Sequence, residues 1–203
     1  MFFLWLNLAG TIVFAASGAA AAVAKRLDLF GVVVVGVVTA LGGGVFRDVV
    51  IGRIPPLAFT DWRYPTAAAV TAALVFWVHA QVFRLRRTML TLDAAGLALF
   101  TVVGTTAALE AGVPWLGSCV IGTITGVGGG VLRDVLTAQI PAVLQREIYA
   151  VASMSGATVI VLANYFSLGT IWTSLAAAAL VFGLRLLSSW RNWSAPVPKT
   201  PKI

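Results

Sequence analysis

The fold of this chain is decided by a motif that occurs twice, as Gly42-Gly43-Gly44-Val45-Phe46-Arg47-Asp48 and as Gly128-Gly129-Gly130-Val131-Leu132-Arg133-Asp134. The copies lie 86 residues apart, and the same offset aligns three further pairs: Gly10 with Gly96, Phe14 with Phe100, and Ile54-Pro55 with Ile140-Pro141. Because the offset matches charged and proline positions without a gap, shared apolar composition does not explain it. The chain therefore contains an internal repeat.

The composition excludes a water-soluble domain. Of the 203 residues, 60% are hydrophobic and only 10% are charged, and the mean hydropathy is +0.97. The single cysteine, Cys119, excludes an intramolecular disulfide and CxxC-type metal spacing. The net charge of +7 does not indicate nucleic acid, because the basic residues stand at the ends of apolar segments rather than along one polar face.

Apolar segments of membrane-spanning length follow one another along the whole chain. A membrane helix needs roughly 20 mostly apolar residues, and charges and turns divide the sequence into segments of about this size. We place them near residues 3–24, 29–54, 64–83, 91–110, 114–138, 147–165 and 169–187. The sequence therefore predicts an all-α integral membrane protein with seven transmembrane helices.

The repeat divides these spans into units. We expect a first three-helix repeat at 1–88, a second at 89–166, a seventh transmembrane helix at 167–190 and a basic tail at 191–203. Three spans are an odd number, so the second repeat must enter the membrane upside down. Inverted repeats of this kind are related by a pseudo-two-fold axis in the membrane plane, and transport sites tend to lie near that axis.

The distribution of basic residues predicts the orientation. With seven spans, ten basic residues fall on one side and only Arg53 and Arg63 on the other; the ten are Lys25, Arg26, Arg84, Arg86, Arg87, Arg146, Arg185, Arg191, Lys199 and Lys202. By the positive-inside rule the C-terminus is cytoplasmic and the N-terminus outside.

The glycine triplets, Gly42 to Gly44 and Gly128 to Gly130, predict a kink or a break in the second and fifth spans. Three glycines cost about 3 kcal/mol of helix propensity relative to alanine. Broken backbone at this depth must be buried in protein or line a water-filled cavity. The alternative is close helix packing through small residues.

The charged residues Arg47, Asp48, Arg133 and Asp134 fall inside the apolar spans. Each unpaired charge costs about 2.5–3.5 kcal/mol at the bilayer centre, so these side chains must face the protein interior or water. They either neutralise one another in pairs that lock the fold, or flank a pore and set the field along it. On straight helices Arg47 and Asp134 lie roughly 12 Å apart, so the partners of the four charges remain open.

Thr39 and Thr125 stand three residues before the triplets, where their hydroxyls could cap a bend or coordinate a partly dehydrated cation. Asp93, at the start of the fourth span, suits a helix N-terminus. No catalytic nucleophile with a base, nucleotide loop or metal cluster appears in the sequence. We therefore predict neither an enzyme nor a bound cofactor or metal.

The doubled Gly-Gly-Gly-x-x-Arg-Asp motif and the following Ile-Pro resemble those of the prokaryotic trimeric intracellular cation (TRIC) channels, a branch close to bacterial membrane proteins labelled as glycine transporters. The resemblance covers nearly the whole chain. It implies a homotrimer in the bacterial or archaeal inner membrane, in contact with membrane lipid. Each protomer would have its own pore, bounded by kinked second and fifth helices and permeable to monovalent cations, potassium or sodium.

The resemblance does not carry over every property of the wider family. Animal members have a basic-acidic Lys-Glu signature that binds an inositol lipid, and it is absent here. The leading functional prediction is a potassium-permeable channel. The alternative is a carrier for a small amino acid such as glycine, because inverted repeats and broken midplane helices also characterise carriers.

Overall fold

A computed structural model describes residues 1–82, 86–145 and 148–191 of the chain. Within these ranges every regular element is a helix, and the nine helices are α1 (Phe2–Ala24), α2 (Leu29–Val50), α3 (Leu57–Thr60), α4 (Arg63–Val82), α5 (Arg86–Glu110), α6 (Trp115–Leu136), α7 (Ala142–Gln145), α8 (Ile148–Tyr165) and α9 (Thr170–Trp190). Apart from Arg191, the predicted basic tail lies outside the described residues, as do Arg84 and Arg146.

Six of the helices are long and apolar enough to cross a membrane, counting only described residues: α1, α2, α5 from Thr88, α6, α8, and α9 from Ile171. The prediction of an all-α, multi-pass membrane protein is therefore confirmed. The third predicted span coincides with α4, which is 20 residues long but is not among the six. The count of seven spans accordingly stays a prediction.

The two motif helices end earlier than predicted and in the same way. α2 ends at Val50 and α6 at Leu136, because the chain turns through left-handed residues, Gly52 (φ 75°) and Ala138 (φ 51°). In both turns a backbone N–H donates to the carbonyl of the motif aspartate, from Arg53 and from Gln139, at 2.8 Å. The short helices α3 and α7 follow these turns and were not predicted.

Small residues let the helices of the first half approach closely. A Cβ on Gly18 of α1 would lie 2.8 Å from Cβ of Thr39 on α2, and a Cβ on Gly36 of α2 would lie 2.7 Å from Cβ of Ala72 on α4. The helices can approach this closely because glycine has no side chain, as at other membrane helix interfaces. α1 and α5 are the most buried of the membrane-spanning helices, so they form the centre of the bundle.

Phe14 of α1 and Phe100 of α5 occupy that centre. Their rings stack with centroids 5.3 Å apart and an interplanar angle of 30°, and both side chains are buried. Stacked aromatic pairs in this range add to the stability gained from burial alone.

Candidate functional site: two buried arginine clusters

Arg47 and Asp48, near the C-terminal end of α2, form a buried ion pair. Nε and Nη2 of Arg47 lie 2.9 Å and 2.8 Å from Oδ1 of Asp48, and the two side chains are 2% and 1% exposed. The pair joins adjacent residues, so no bend of the helices is needed to neutralise the charges.

Arg133 and Asp134 on α6 repeat this arrangement. Nε and Nη2 of Arg133 both lie 2.9 Å from Oδ1 of Asp134. The interpretation of the four charges as neutralising pairs therefore agrees with the structure, while a role along a permeation path stays a prediction.

The second oxygen of each aspartate holds the chain that follows the motif. Oδ2 of Asp48 accepts a hydrogen bond from the backbone N–H of Leu57, the first residue of α3, at 2.9 Å. Oδ2 of Asp134 accepts one from Ala142, the first residue of α7, also at 2.9 Å. Each aspartate therefore ties the arginine of its own helix to the returning chain after the Ile-Pro turn.

Arg133 has further partners that the sequence did not predict. Its Nη1 lies 2.7 Å from Oδ1 of Asp93 on α5 and donates to Oγ of Ser17 on α1, also at 2.7 Å. Tyr149 of α8 donates to the same Asp93 oxygen at 3.1 Å, and Nη2 of Arg185 on α9 lies 3.6 Å from Oδ2 of Asp93. This cluster joins five helices.

The first half has no such carboxylate. At the offset of 86 residues Asn7 takes the place of Asp93, and its side chain interacts with Tyr64, which lines the same cleft. Nη1 of Arg47 has no hydrogen-bond partner among the described residues. The two halves therefore share the arginine-aspartate pair. They differ at Nη1 of the arginine, which binds Asp93 in the second half and has no partner among the described residues in the first.

The glycine triplets do not break their helices. α2 and α6 are helical without interruption through Gly42 to Gly44 and Gly128 to Gly130, so the prediction of a break is wrong. The alternative of close packing explains the middle glycines, since a Cβ on Gly43 would collide with the carbonyl oxygen of Thr125. Contacts with the neighbouring helix outweigh the low helix propensity of glycine. A bend within continuous helix remains a prediction.

The contacts at the triplets are reciprocal. Gly43 faces the carbonyl of Thr125, and Gly129 faces the carbonyl of Thr39. The offset of 86 residues converts each of these two contacts into the other. Such reciprocity is the property of a two-fold interface. As the position on α2 rises from 39 to 43, the facing position on α6 falls from 129 to 125, so the two helices are antiparallel where they touch.

Thr39 and Thr125 lie inside this helix contact. Each hydroxyl donates to the carbonyl four residues earlier, of Val35 and of Ile121, at 2.6 Å. Both side chains are fully buried. Hydroxyls bonded in this way often accompany a bend in the helix, while coordination of a cation by either threonine stays a prediction.

Each arginine cluster opens into a cleft. The cleft beside Arg47, here called the Arg47 cleft, has a volume of about 230 Å³ and is also lined by Asn7, Arg53, Tyr64 and Glu110. The cleft beside Arg133, the Arg133 cleft, has a volume of about 380 Å³ and is lined by Asp93, Asp134, Gln139 and Arg185. Within the described ranges no three His, Cys, Asp or Glu side chains converge as a metal site would require.

Sequence reasoning gave Asp93 the wrong role and did not identify Arg185 as a functional candidate. α5 begins at Arg86 rather than at 91, so Asp93 lies well inside the helix and is 3% exposed. It does not serve a helix N-terminus. Arg185, counted among the cytoplasmic basic residues, is 2% exposed. The offset of 86 residues pairs Asp93 with Asn7, and this pairing in the sequence could have indicated the site.

A family model described as glycine transporter matches residues 4–80 and 90–165. The two matched segments begin at the same offset of 86 residues that relates the motifs. A UPF0126 membrane protein of Deinococcus radiodurans is 41% identical over 202 residues, which cover 98% of this chain and 93% of that protein. The UPF0126 inner membrane protein YadS of Escherichia coli K12 is 40% identical over 196 residues, covering 96% and 94%.

The chain also resembles solved structures over almost its full length. The crystal structure of the TRIC trimeric intracellular cation channel orthologue from Rhodobacter sphaeroides superposes with a TM-score of 0.91 at 33% identity, covering 95% of this chain and 99% of that one. Sequence family and three-dimensional fold therefore agree over almost the full length. The chain is a multi-pass membrane protein that belongs to the glycine-transporter (UPF0126) family and to the prokaryotic TRIC family.

Proposed function

We propose that this protein is a monovalent cation channel that conducts chiefly potassium through a path inside each protomer of a homotrimer. The observation that carries the proposal is the pair of clefts at the two buried arginine clusters, one on each side of the bundle centre. The likeness to channels named for cation conduction and for trimeric assembly supports it.

α1 connects the two clefts and marks the course of the proposed path. Asn7 lines the Arg47 cleft, and Ser17 contacts Arg133 at the other cluster. Ten residues of helix separate them by roughly 15 Å. Phe14 lies in this interval and stacks on Phe100. The stacked pair closes the path, so conduction requires the two rings to separate.

The aspartates in the two clusters offset the positive charge of the arginines, which alone would repel a cation. Arg47 is balanced by Asp48. Arg133 and Arg185 are balanced by Asp93 and Asp134. With these groups ionised each cluster is neutral, so a passing cation does not meet an unopposed positive charge.

We also propose that α4 crosses the membrane, which gives seven spans. Twenty residues of helix are about 30 Å long, the thickness of the hydrocarbon core. One face of α4 is buried through Ala68 and Ala72. The opposite face exposes large apolar side chains that suit contact with lipid, namely Val70, Leu74, Trp77 and Val78.

The inverted arrangement of the two halves is proposed on the reciprocal glycine contacts. Contacts of the same kind join Gly10 to Phe100 and Gly96 to Phe14, which are again exchanged by the offset of 86. With seven spans and the basic residues on the cytoplasmic side, the Arg47 cleft opens outside and the Arg133 cleft opens to the cytoplasm.

A carrier for glycine is the second candidate, favoured by the description of the matching family model. A carrier and a channel differ in whether both ends of the path open together. Purified protein reconstituted in a planar bilayer distinguishes them: unitary current steps with a reversal potential set by the potassium gradient support the channel. Saturable glycine exchange without any potassium current supports the carrier.

A further inference from the structure

Nη1 of Arg47 is a charged hydrogen-bond donor that has no acceptor in the part of the chain that the structure describes. Arg47 is 2% exposed, and its Nη1 is buried with no partner among the described residues. A buried donor left unsatisfied destabilises the folded chain, and more so when it is charged. An acceptor from outside the chain, a water molecule or a bound ligand, is needed to satisfy this donor.

The second half of the chain shows which chemical group fits this nitrogen. There the equivalent atom, Nη1 of Arg133, binds a carboxylate oxygen of Asp93 at 2.7 Å, and Tyr149 donates to the same oxygen. Charge-assisted bonds of this length are among the strong hydrogen bonds of proteins. In the first half the arginine is present and a tyrosine, Tyr64, lines the same cleft, but the acid is replaced by the neutral Asn7.

The Arg47 cleft provides the space that a ligand needs. Its volume of about 230 Å³ is large enough for several water molecules. A second buried polar atom without a partner in the described chain, Oγ1 of Thr106, belongs to a residue of the same wall. Arg53 and Glu110, both exposed at this cleft, oppose each other in charge and add no net charge to it.

From these observations we propose that the Arg47 cleft binds a small carboxylate, whose oxygen takes the place at Arg47 that Asp93 takes at Arg133. This site goes beyond the proposed conduction of cations and does not depend on it. Bound carboxylate would also place a negative charge at this end of the proposed path.

Acetate is the probe that tests the site. Binding to the purified full-length protein in detergent is followed by saturation-transfer NMR of the acetate methyl protons, titrated at constant ionic strength in excess potassium chloride. We expect a saturable signal, since chloride lacks the planar pair of oxygens that a guanidinium binds. A signal that rises linearly with acetate, without saturation, would overturn the proposal.

Two substitutions of Asn7 distinguish the effect of an added charge from the effect of a changed side-chain shape. Asn7→Asp supplies the missing carboxylate within the chain, and we expect it to weaken acetate binding by at least about tenfold, the effect of one charge-assisted hydrogen bond. Asn7→Ala adds no charge and should keep acetate binding. Equal binding by wild type and Asn7→Asp contradicts the proposed site.

A second route keeps the test decisive if Asn7→Asp does not fold, as judged by size-exclusion chromatography. Leu4 lines the Arg47 cleft and is only partly buried, so Leu4→Trp fills the cleft without touching the ion pair. It should remove the saturable acetate signal. Unchanged binding in this variant would place acetate elsewhere on the protein.

Discussion

Asp93 lies 2.7 Å from Nη1 of Arg133 and 3.6 Å from Nη2 of Arg185, so one buried carboxylate serves two arginines from different helices. Its counterpart in the first half of the chain, Asn7, is neutral and contacts a tyrosine instead. The two halves have kept the same backbone contacts and diverged at the charge that faces the arginine. The Arg133 cluster is therefore expected to be the more stable of the two.

The first prediction concerns the stability of that cluster. Asp93→Asn leaves only Asp134 to balance Arg133 and Arg185, and breaking a buried pair in this way costs about 3–5 kcal/mol. We expect a lower thermal unfolding temperature and a lower folded yield in detergent. The matched control is Asp61→Asn, which removes the exposed pair with Arg63 and should change stability little. Equal effects of both substitutions would refute this expectation.

The second prediction separates the glycines of one triplet. Gly43→Ala should destabilise the protein, because the added Cβ collides with the carbonyl of Thr125. Gly44→Ala is the control, since its nearest neighbour would be Nη2 of Arg47 at 3.9 Å. Alanine there should be neutral or should stabilise by up to about 1 kcal/mol through helix propensity. Thermal unfolding measures both. Similar destabilisation by the two variants would favour a bend that requires the whole triplet.

These glycines also show how far sequence reasoning reaches. The repeat, the membrane class and the inward position of the four charges could be predicted, because hydropathy and the cost of buried charge are properties of local sequence. The break could not be judged, because the low helix propensity of Gly43 is offset by contacts with Thr125 that exist only in the folded bundle. The partner of Arg133 was missed for a similar reason, since Asp93 lies 40 residues away in the chain.

The third prediction tests whether the stacked rings close the path. Phe100→Ala removes one ring of the pair with Phe14 and should increase potassium efflux from loaded proteoliposomes, since apolar constrictions gate by excluding water. The cavity lowers stability by about 3–5 kcal/mol, so efflux is compared per amount of folded protein. Phe59→Ala, at a residue that is 73% exposed, is the control. Unchanged efflux in folded Phe100→Ala would place the closure elsewhere.

The fourth prediction concerns orientation. Reporter fusions after Arg87 and after α9 should both report the cytoplasm, because ten basic residues fall on that side when α4 crosses the membrane. A fusion after Glu110 is expected to report the outside and serves as the internal control. A periplasmic signal after Arg87 would overturn both the orientation and the count of seven spans.

The most direct test of the central claim is the current carried by purified protein in a planar bilayer under a potassium chloride gradient. The proposed function predicts unitary current steps whose reversal potential moves toward that of potassium and away from that of chloride. Complete absence of current at all voltages, together with saturable glycine uptake by the same preparation in liposomes, would contradict the channel and establish the carrier.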